Sequence, residues 1–321
     1  MKTKFNVLII GVGRMGAFFD NPKSENILTH AHAFSIHKGF NLIGFVDNDK
    51  RQVAKAAKIW NVHSYNSLSE AFSSNLIDIV CVATSTDTHQ KLLEEVLKYP
   101  VKLILLEKPI AKTSRQSERI IRLYEKTKVP IVVNYIRRFL PEFEKIMIEI
   151  NRGSYGNYVA GAGYYGKGLL NNGSHIIDLL HFFFGSVSRF KMIENDDGHS
   201  NDEPTVTALL SFPGKRSFVL QGVSDKTFSL FEMDLIFEKQ RIRITESGLK
   251  IEFQKIQNNK IFKGYQSMTK FFEKETSLRK YMYFVADNIY KHLTKGEEIK
   301  CNLLDGYKAS TLCFKILGKR Q

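Results

Sequence analysis

The sequence predicts an α/β fold: a doubly wound parallel sheet over roughly the first 138 residues, then a second, strand-rich domain. Three observations carry this. Short apolar, β-branched runs alternate with helical patterns from 4 to 135. A glycine-rich turn follows the first run directly. Beyond about 138 the pattern changes to hairpins and longer strands. The expected domains are therefore 1–138 and 139–321.

The runs "KFNVLIIG", "NLIGFVD", "IDIVCVAT", "VKLILLEKP" and "VPIVVNY" are nearly all apolar, as strands buried on both faces of a parallel sheet must be. Between them, 49–59, 67–73, 86–98 and 113–127 place apolar residues three and four apart; Leu92, Leu93, Val96 and Leu97 form one such stripe. Alternation of this kind argues for a doubly wound sheet. In the second part, a helix over 140–151 is broken by the glycines of "NRGSYGN", and a strand over 157–165 follows. "TVTALLSF" and "RSFVLQG" flank "PGK", and "RIRIT" and "LKIEF" flank "ESG"; both read as hairpins. Helices near 277–293 and 305–317 complete the pattern.

Composition narrows the function classes. With 321 residues, 43% of them apolar and 25% charged, the chain reads as globular and large enough for two domains. No apolar run approaches the roughly 18–20 residues that cross a bilayer, so no membrane role is expected. "MKTKFNVLIIGVG" reads as a first strand rather than a leader. Cys81, Cys301 and Cys313 are scattered and form no CxxC, which fits a reducing, cytoplasmic setting. The net charge of +14 is spread along the chain without a run of five basic residues. Solvated helix faces account for it first and an anion-binding site next, and no nucleic-acid partner is expected.

"IIGVGRMG" places Gly11, Gly13 and Gly16, with Arg14 and Met15 between them, straight after the first strand. In that setting the first glycine allows a tight turn, the second lets backbone approach a pyrophosphate, and the third lets a helix pack against the strand. A helix starting here would aim N–H groups and a positive dipole end at the anion. Asp47 ends the second strand, where a carboxylate binds ribose hydroxyls and favours NAD. Lys50 and Arg51 lie close enough to soften that preference towards NADP. A helix cap is the alternative role for Asp47. It lies 31 residues after Gly16 rather than roughly 20. The excess, "AFFDNPKSENILTH", reads as a loop near the cofactor or substrate. His30 and His32, in "THAHAF", have a spacing that splays them apart on a helix, so no shared metal is expected.

With the glycine turn, "EKP" at 107–109, "NYIRRF" at 134–139, "RGSYGN" at 152–157, "GSHIID" at 173–178 and "LLDGYKAS" at 303–310 in this order, the whole chain resembles the Gfo/Idh/MocA family. That resemblance implies a Rossmann domain followed by a domain on a large, mostly antiparallel, open-faced sheet. It also implies NAD(P)-dependent oxidation or reduction of a hydroxyl or keto carbon on a sugar or cyclitol, in a homodimer or homotetramer. Lys108 matches the family's active-site lysine and His175 its catalytic histidine. Thr84 matches a cofactor-side position, although Ser85 stands where proline is common. Arg138 matches an arginine often near the cofactor, and His89 and Glu107 are counted among the cofactor-side residues. Many dehydrogenases of the family carry Asp four residues before the histidine. Here Asn171 stands there and cannot raise an imidazole pKa by charge. Members acting on nucleotide-linked sugars, of the kind used in surface-polysaccharide biosynthesis, look more like this chain.

In "LLNNGSHIIDLLHFFFG", Ser174 or Asn172 is the expected cap of a buried helix. A metal site of the form HxxDxxH, from His175, Asp178 and His181, is disfavoured because three ligands on one helix drift around it. A structural His175–Asp178 hydrogen bond and a catalytic His175 supported by Asp178 remain. In the catalytic reading His175 moves the hydroxyl proton and Lys108 steadies the developing alkoxide, or Lys108 is itself the proton acceptor. Tyr164, Lys167, Asn171 and Asn172 are substrate-binding candidates, with Tyr165 beside them; sheet packing is the alternative for the tyrosines. The competing function is a non-catalytic or regulatory NAD-binding protein.

Overall fold

The computed structural model describes residues 4–196, 203–214, 217–224, 226 and 228–318. They divide into two compact units: the residues up to 139 together with 279–311, and 140–278 together with the residues from 312 onward.

The first unit is built on β1 (Phe5–Ile10), β2 (Phe40–Val46), β3 (His63–Tyr65), β4 (Ile79–Val82), β5 (Leu103–Leu106) and β6 (Ile131–Val133). They pair in the order β3-β2-β1-β4-β5-β6, every pair parallel. Every side chain of β4 and β5 is buried, which is why those stretches are continuous apolar runs rather than alternating ones. Cys81 is one of them, a small buried side chain. The sequence reading missed β3. It is a three-residue edge strand with His63 and Ser64 exposed, so it leaves no apolar run. The helices are α1 (His30–Ile36), α2 (Lys50–Trp60), α3 (Leu68–Ser74), α4 (His89–Val96) and α5 (Ser114–Thr127). Thr29, Asp49, Ser67 and Thr113 cap α1, α2, α3 and α5, each accepting a hydrogen bond from a backbone N–H two or three residues on. The chain runs outward from β1 to β3 and returns to β4. This reversal opens a crevice at the carboxyl ends of β1 and β4.

The second unit begins with α6 (Pro141–Asn151), β7 (Tyr158–Tyr165) and α7 (Ser174–Phe184). Then follow β8 (Arg189–Asp196), β9 (Thr205–Ser211), β10 (Phe218–Gly222), β11 (Phe231–Phe237), β12 (Gln240–Thr245), β13 (Lys250–Asn258), β14 (Gln266–Met268) and β15 (Phe272–Glu275). They form a nine-stranded sheet in the order β14-β13-β12-β11-β7-β10-β9-β8, with β15 also on β13. The β7–β10 pair is parallel and the other pairs are antiparallel. Both expected hairpins form, β9 with β10 and β12 with β13. Along β11 burial alternates: Phe231, Met233, Leu235 and Phe237 face the core, and the residues between them do not. One face of this sheet is therefore apolar and the other open, as for an antiparallel sheet with one solvated side.

After β15 the chain rejoins the first unit through α8 (Tyr281–Lys295) and the start of α9 (Leu303–Ile316). The Tyr281 hydroxyl donates to Leu28 O at 2.7 Å. Tyr290 fills the space that a side chain at Gly39 would need. Asn302 and Asp305 bond reciprocally at the start of α9, each side chain accepting the other's backbone N–H.

Tyr165 ties β7 to β9. Its fully buried hydroxyl donates to Val206 O and accepts from Val206 N, both at 2.8 Å. Tyr165→Phe leaves two buried backbone groups unmet, so urea unfolding should show a loss of about 1–3 kcal/mol.

Candidate functional site

The turn after β1 is shaped by two glycines. Gly11 has φ +92°, and a Cβ there would lie 2.7 Å from Ala83 O. A Cβ on Gly16 would lie 2.1 Å from Gly11 O, so no side chain fits between turn and strand. Gly13 is different: a Cβ there meets nothing within 4 Å. Its bareness serves the space outside the protein, where a ligand's backbone approach is unhindered. As the surplus stretch "AFFDNPKSENILTH" predicts, a loop rather than a long helix follows this turn. Arg14–Phe18 makes one wide π-type turn, with Phe18 N donating to Gly13 O and Phe19 N to Arg14 O, and the next helix starts only at His30. A five-residue turn carries little macrodipole, so any anion here relies on the local N–H groups. The Arg14 guanidinium lies 5.9 Å from the Phe19 ring centre, and Met15 Sδ lies 3.8 Å from the Tyr281 hydroxyl oxygen.

Above the turn lies a cleft of about 590 Å³. Its walls include Gly11, Gly13, Asp47, Thr84, Asn66, Ser67, Lys91 and Leu92. Asp47 secures the floor: Oδ2 accepts Val12 N at 2.8 Å and Oδ1 accepts Asp49 N at 2.9 Å. It does not cap α2; Asp49 does. Thr84 Oγ1 meets Thr88 Oγ1 at 2.7 Å. His89 is fully buried behind this wall, its ring nitrogens 3.3 Å from Thr84 O and from Ile110 O. It holds the loops after β4 and β5 together, and it is absent from the cleft lining. Asn66, Ser67 and Lys91 carry no motif that marks them in sequence, and Leu92 reads there only as part of a helical stripe.

The extra loop between the turn and α1 is organised by Asp20. Its carboxylate accepts from Leu28 N, Thr29 N, the Thr29 hydroxyl and His32 Nδ1. His30, two residues from His32, points elsewhere, with Nε2 2.7 Å from Glu107 Oε1. The two histidines thus serve different carboxylates. Among the described residues, no group of three or more His, Cys, Asp or Glu side chains is placed to hold a metal.

Lys108 follows β5, half-buried, with Pro109 in a cis peptide after it. Lys108 N donates to Glu107 Oε2 at 3.3 Å. Burial alone would push the Glu107 carboxyl up. The hydrogen bond and charge of His30, then the Asn134 amide and the Lys108 charge, outweigh it and hold the carboxyl below its ordinary range. Arg138, also buried, pairs with Asp305 at 3.2 Å.

In the second unit His175 lies in the first turn of α7, buried, its ring edge-on to Phe231 at 6.3 Å. Asp178 is buried one turn later. The expected side-chain cap is absent. A π-type turn, Gly168–Gly173, runs into α7, and the Ser174 hydroxyl donates back to Leu170 O at 2.6 Å. Lys167, at φ +63°, and Asn171 are exposed, and Asn172 is half-buried. Asn171 N donates to Glu203 Oε1 at 2.8 Å. Tyr164 is 41% exposed on β7, whereas Tyr165 is consumed by packing.

Residues 5–135 match the oxidoreductase family GFO_IDH_MocA, NAD-binding Rossmann fold. Residues 5–135 are thus similar to the NAD-binding domain of the Gfo/Idh/MocA family. Over 155 residues the chain is 24% identical to the rhizopine catabolism protein MocA of Rhizobium meliloti, covering 48% of this chain and 45% of that protein. Over 158 residues it is 27% identical to inositol 2-dehydrogenase of Corynebacterium glutamicum, covering 49% and 44%. The alignments thus span about half the length of the curated relatives. The Bordetella pertussis WlbA dehydrogenase, solved with NADH and UDP-GlcNAcA, superposes with a TM-score of 0.78 at 15% identity over 99% of this chain and 96% of that one. At that identity the likeness shows the fold, including the large, mostly antiparallel second sheet. The Gfo/Idh/MocA cofactor fits the first unit's own features. The cleft sits at the sheet's switch point, its glycine floor is open at Gly13, and a carboxylate ends β2.

Asp20→Ala would strand several donors around a buried side chain. A loss of about 3–5 kcal/mol is expected in chemical unfolding, larger than for Asp20→Asn, which keeps one acceptor oxygen. Burial holds His89 below its ordinary 6.5, against the pull of the Thr84 carbonyl and the Glu107 charge, and burial lowers His37 likewise. The unfolded chain therefore binds these protons more readily. Their contribution to stability is complete above pH 6.5 and is lost as pH falls below it, with Glu107 adding a further loss below 4.5. Urea midpoints measured against pH should decline below 6.5, and His89→Gln should flatten that decline; a midpoint that rises on acidification contradicts the assignment.

Proposed function

We propose that the protein is an NAD(P)-dependent oxidoreductase that transfers hydride between nicotinamide and a hydroxyl or keto carbon of a sugar, with nucleotide-linked sugars as the substrate class. The observation that carries this reading is the placement of the glycine turn and Lys108 on one carboxyl edge of one parallel sheet, at the ends of β1 and β5. The inositol dehydrogenase relative and the WlbA fold neighbour with its UDP-sugar support the substrate class. Asp47 supports NAD over NADP, since a carboxylate at the end of β2 repels a 2′-phosphate.

A bound nicotinamide supplies the hydride acceptor or donor. The residues of the chain manage orientation and protons. As hydride leaves carbon, the attached hydroxyl gives its proton to the His175 imidazole. Lys108, as ammonium, is the group proposed to stabilise developing alkoxide charge. In the reducing direction His175 returns the proton. Tyr164, Lys167, Asn171 and Asn172 hold the sugar or its phosphates. Asn171 carries no charge, so His175 receives no electrostatic support from that position. This is the feature that favours a non-catalytic NAD-binding protein as the second reading.

Absorbance at 340 nm with NAD+ or NADP+ and a panel of sugars and nucleotide-linked sugars tests the reading. Lys108→Ala should lower turnover by at least about a hundredfold while cofactor affinity, read by NADH fluorescence, moves by less than about tenfold. Tight cofactor binding with no turnover across the panel would favour the second reading.

A further inference from the structure

In the second unit, the hairpin of β13 and β14 runs on past its neighbour strand. β12 pairs with β13 only as far as Lys255. β14 pairs with the residues after it, Ile256, Gln257 and Asn258. The hairpin therefore continues roughly 10 Å past β12 before its tip begins. The tip, 259–265, holds three large apolar side chains in the open: Ile261 is 83% exposed, Phe262 63% and Tyr265 71%. Single exposed apolar residues are ordinary, but a cluster of them on one projecting loop marks a contact surface.

The tip has a fixed internal structure. Asn259 N donates to Tyr265 O at 2.8 Å, and Tyr265 N donates to Phe262 O at 3.2 Å. The Asn259 side-chain oxygen accepts Ile261 N and Phe262 N, both at 2.9 Å. Gly264, at φ +89°, makes the closing bend. The Phe262 and Tyr265 rings meet edge-on with centres 6.5 Å apart. The backbone N–H groups of Asn259, Ile261, Phe262 and Tyr265 thus have partners inside the loop, so taking the tip out of water strands none of them. A loop that enters a dehydrated layer has to meet this condition.

Charge selects the partner. Lys255, Lys260, Lys263 and Lys270 lie between Phe253 and Phe272, and no Asp or Glu does. Lys260 and Lys263 are exposed beside the apolar cluster. A second copy of this chain carries the same net +14 and would meet the tip with like charge. A nucleic acid offers phosphates, but Ile261, the most exposed of the three, has no ring to stack on a base. An anionic bilayer offers negative headgroups to the lysines, acyl chains to Ile261 and Phe262, and the interfacial level at which a tyrosine settles. No helix among the described residues is long and apolar enough to cross a membrane, so the contact is peripheral.

We infer that the β13–β14 tip docks on anionic phospholipid membranes: Ile261, Phe262 and Tyr265 enter the headgroup layer, and Lys260 and Lys263 meet the lipid phosphates around them. Docking of this kind needs neither cofactor nor substrate, so it stands or falls apart from the hydride-transfer reading.

Vesicle flotation with the full chain tests it. At near-physiological salt, wild-type protein should float with vesicles of phosphatidylcholine and phosphatidylglycerol and stay behind with phosphatidylcholine alone. Ile261→Ser combined with Phe262→Ser should weaken binding at least about tenfold. Lys260→Glu combined with Lys263→Glu should weaken it at least about twentyfold. Lys58→Glu combined with Lys126→Glu, the same change in net charge at exposed positions of α2 and α5, should bind like the wild type. Phe262→Trp keeps the patch and reads insertion directly should the serine variant not fold. Its emission should move to the blue on anionic vesicles, and an unmoved emission overturns the proposal. Wild-type protein that floats with neither vesicle, or binding that the tip variants leave intact, overturns it too. So does a duplex-DNA shift, or self-association in sedimentation, that the tip variants abolish while vesicle binding is absent; the patch then serves a nucleic acid or a second copy.

Discussion

The first unit depends on a contact that leaves no room for a side chain. The carbonyl of Gly11 sits where a Cβ on residue 16 would be, and the carbonyl of Ala83 sits where one on residue 11 would be. Only bare backbone can turn this tightly against the ends of β1 and β4. Because it does, Val12 comes within hydrogen-bond reach of Asp47, and a cleft opens over Gly13 at the point where the strand order reverses. The lining of that cleft follows from this seating: loops after β1, β2, β3 and β4 all end on the same edge of a parallel sheet.

Around this edge the protein buries carboxylates and pairs each one. Asp20 gathers four donors from its own loop and from α1, and Glu107 gathers His30, Asn134 and the Lys108 amide. A buried carboxylate is tolerable only when its oxygens are occupied by donors. The two histidines of α1 divide that labour, one anchoring the inserted loop and the other reaching the strand that carries Lys108. An insertion that reads in sequence as surplus length is therefore part of the support for the β5 end.

The second unit presents its chemistry differently. There His175 rides on a helix that emerges from a π-type turn rather than from a side-chain cap. The turn is braced from outside its own segment, by Glu203 receiving the Asn171 N–H. Position 171 has no carboxylate of its own, yet one lies directly against its backbone. The bracing fixes the start of α7 without placing a charge in the Asn171 side chain.

The elements of both sheets were legible from sequence where a physical period was present: continuous apolar runs for β1, β2, β4, β5 and β6, three- and four-residue stripes for the helices, turn residues for the two hairpins. β3 was not, because a three-residue exposed edge has no period. The tight glycine turn after β1 was legible because it is imposed by backbone sterics close to it in the chain. The cap expected from Ser174 or Asn172 was not, since a π-type turn runs into α7 and the Ser174 hydroxyl donates back to Leu170 O. Sequence by itself determined the buried strands of the first sheet, the two hairpins and the main amphipathic helices, because those follow from periodicity and turn chemistry. Tertiary structure alone decided that 279–311 returns to the first unit, that Asn134 and His30 meet on Glu107, and that Tyr165 packs while Tyr164 stays exposed. Each of these joins residues far apart in the chain or selects one face of a sheet, and the energy that settles them, the pairing of buried polar groups, exists only once the chain has folded.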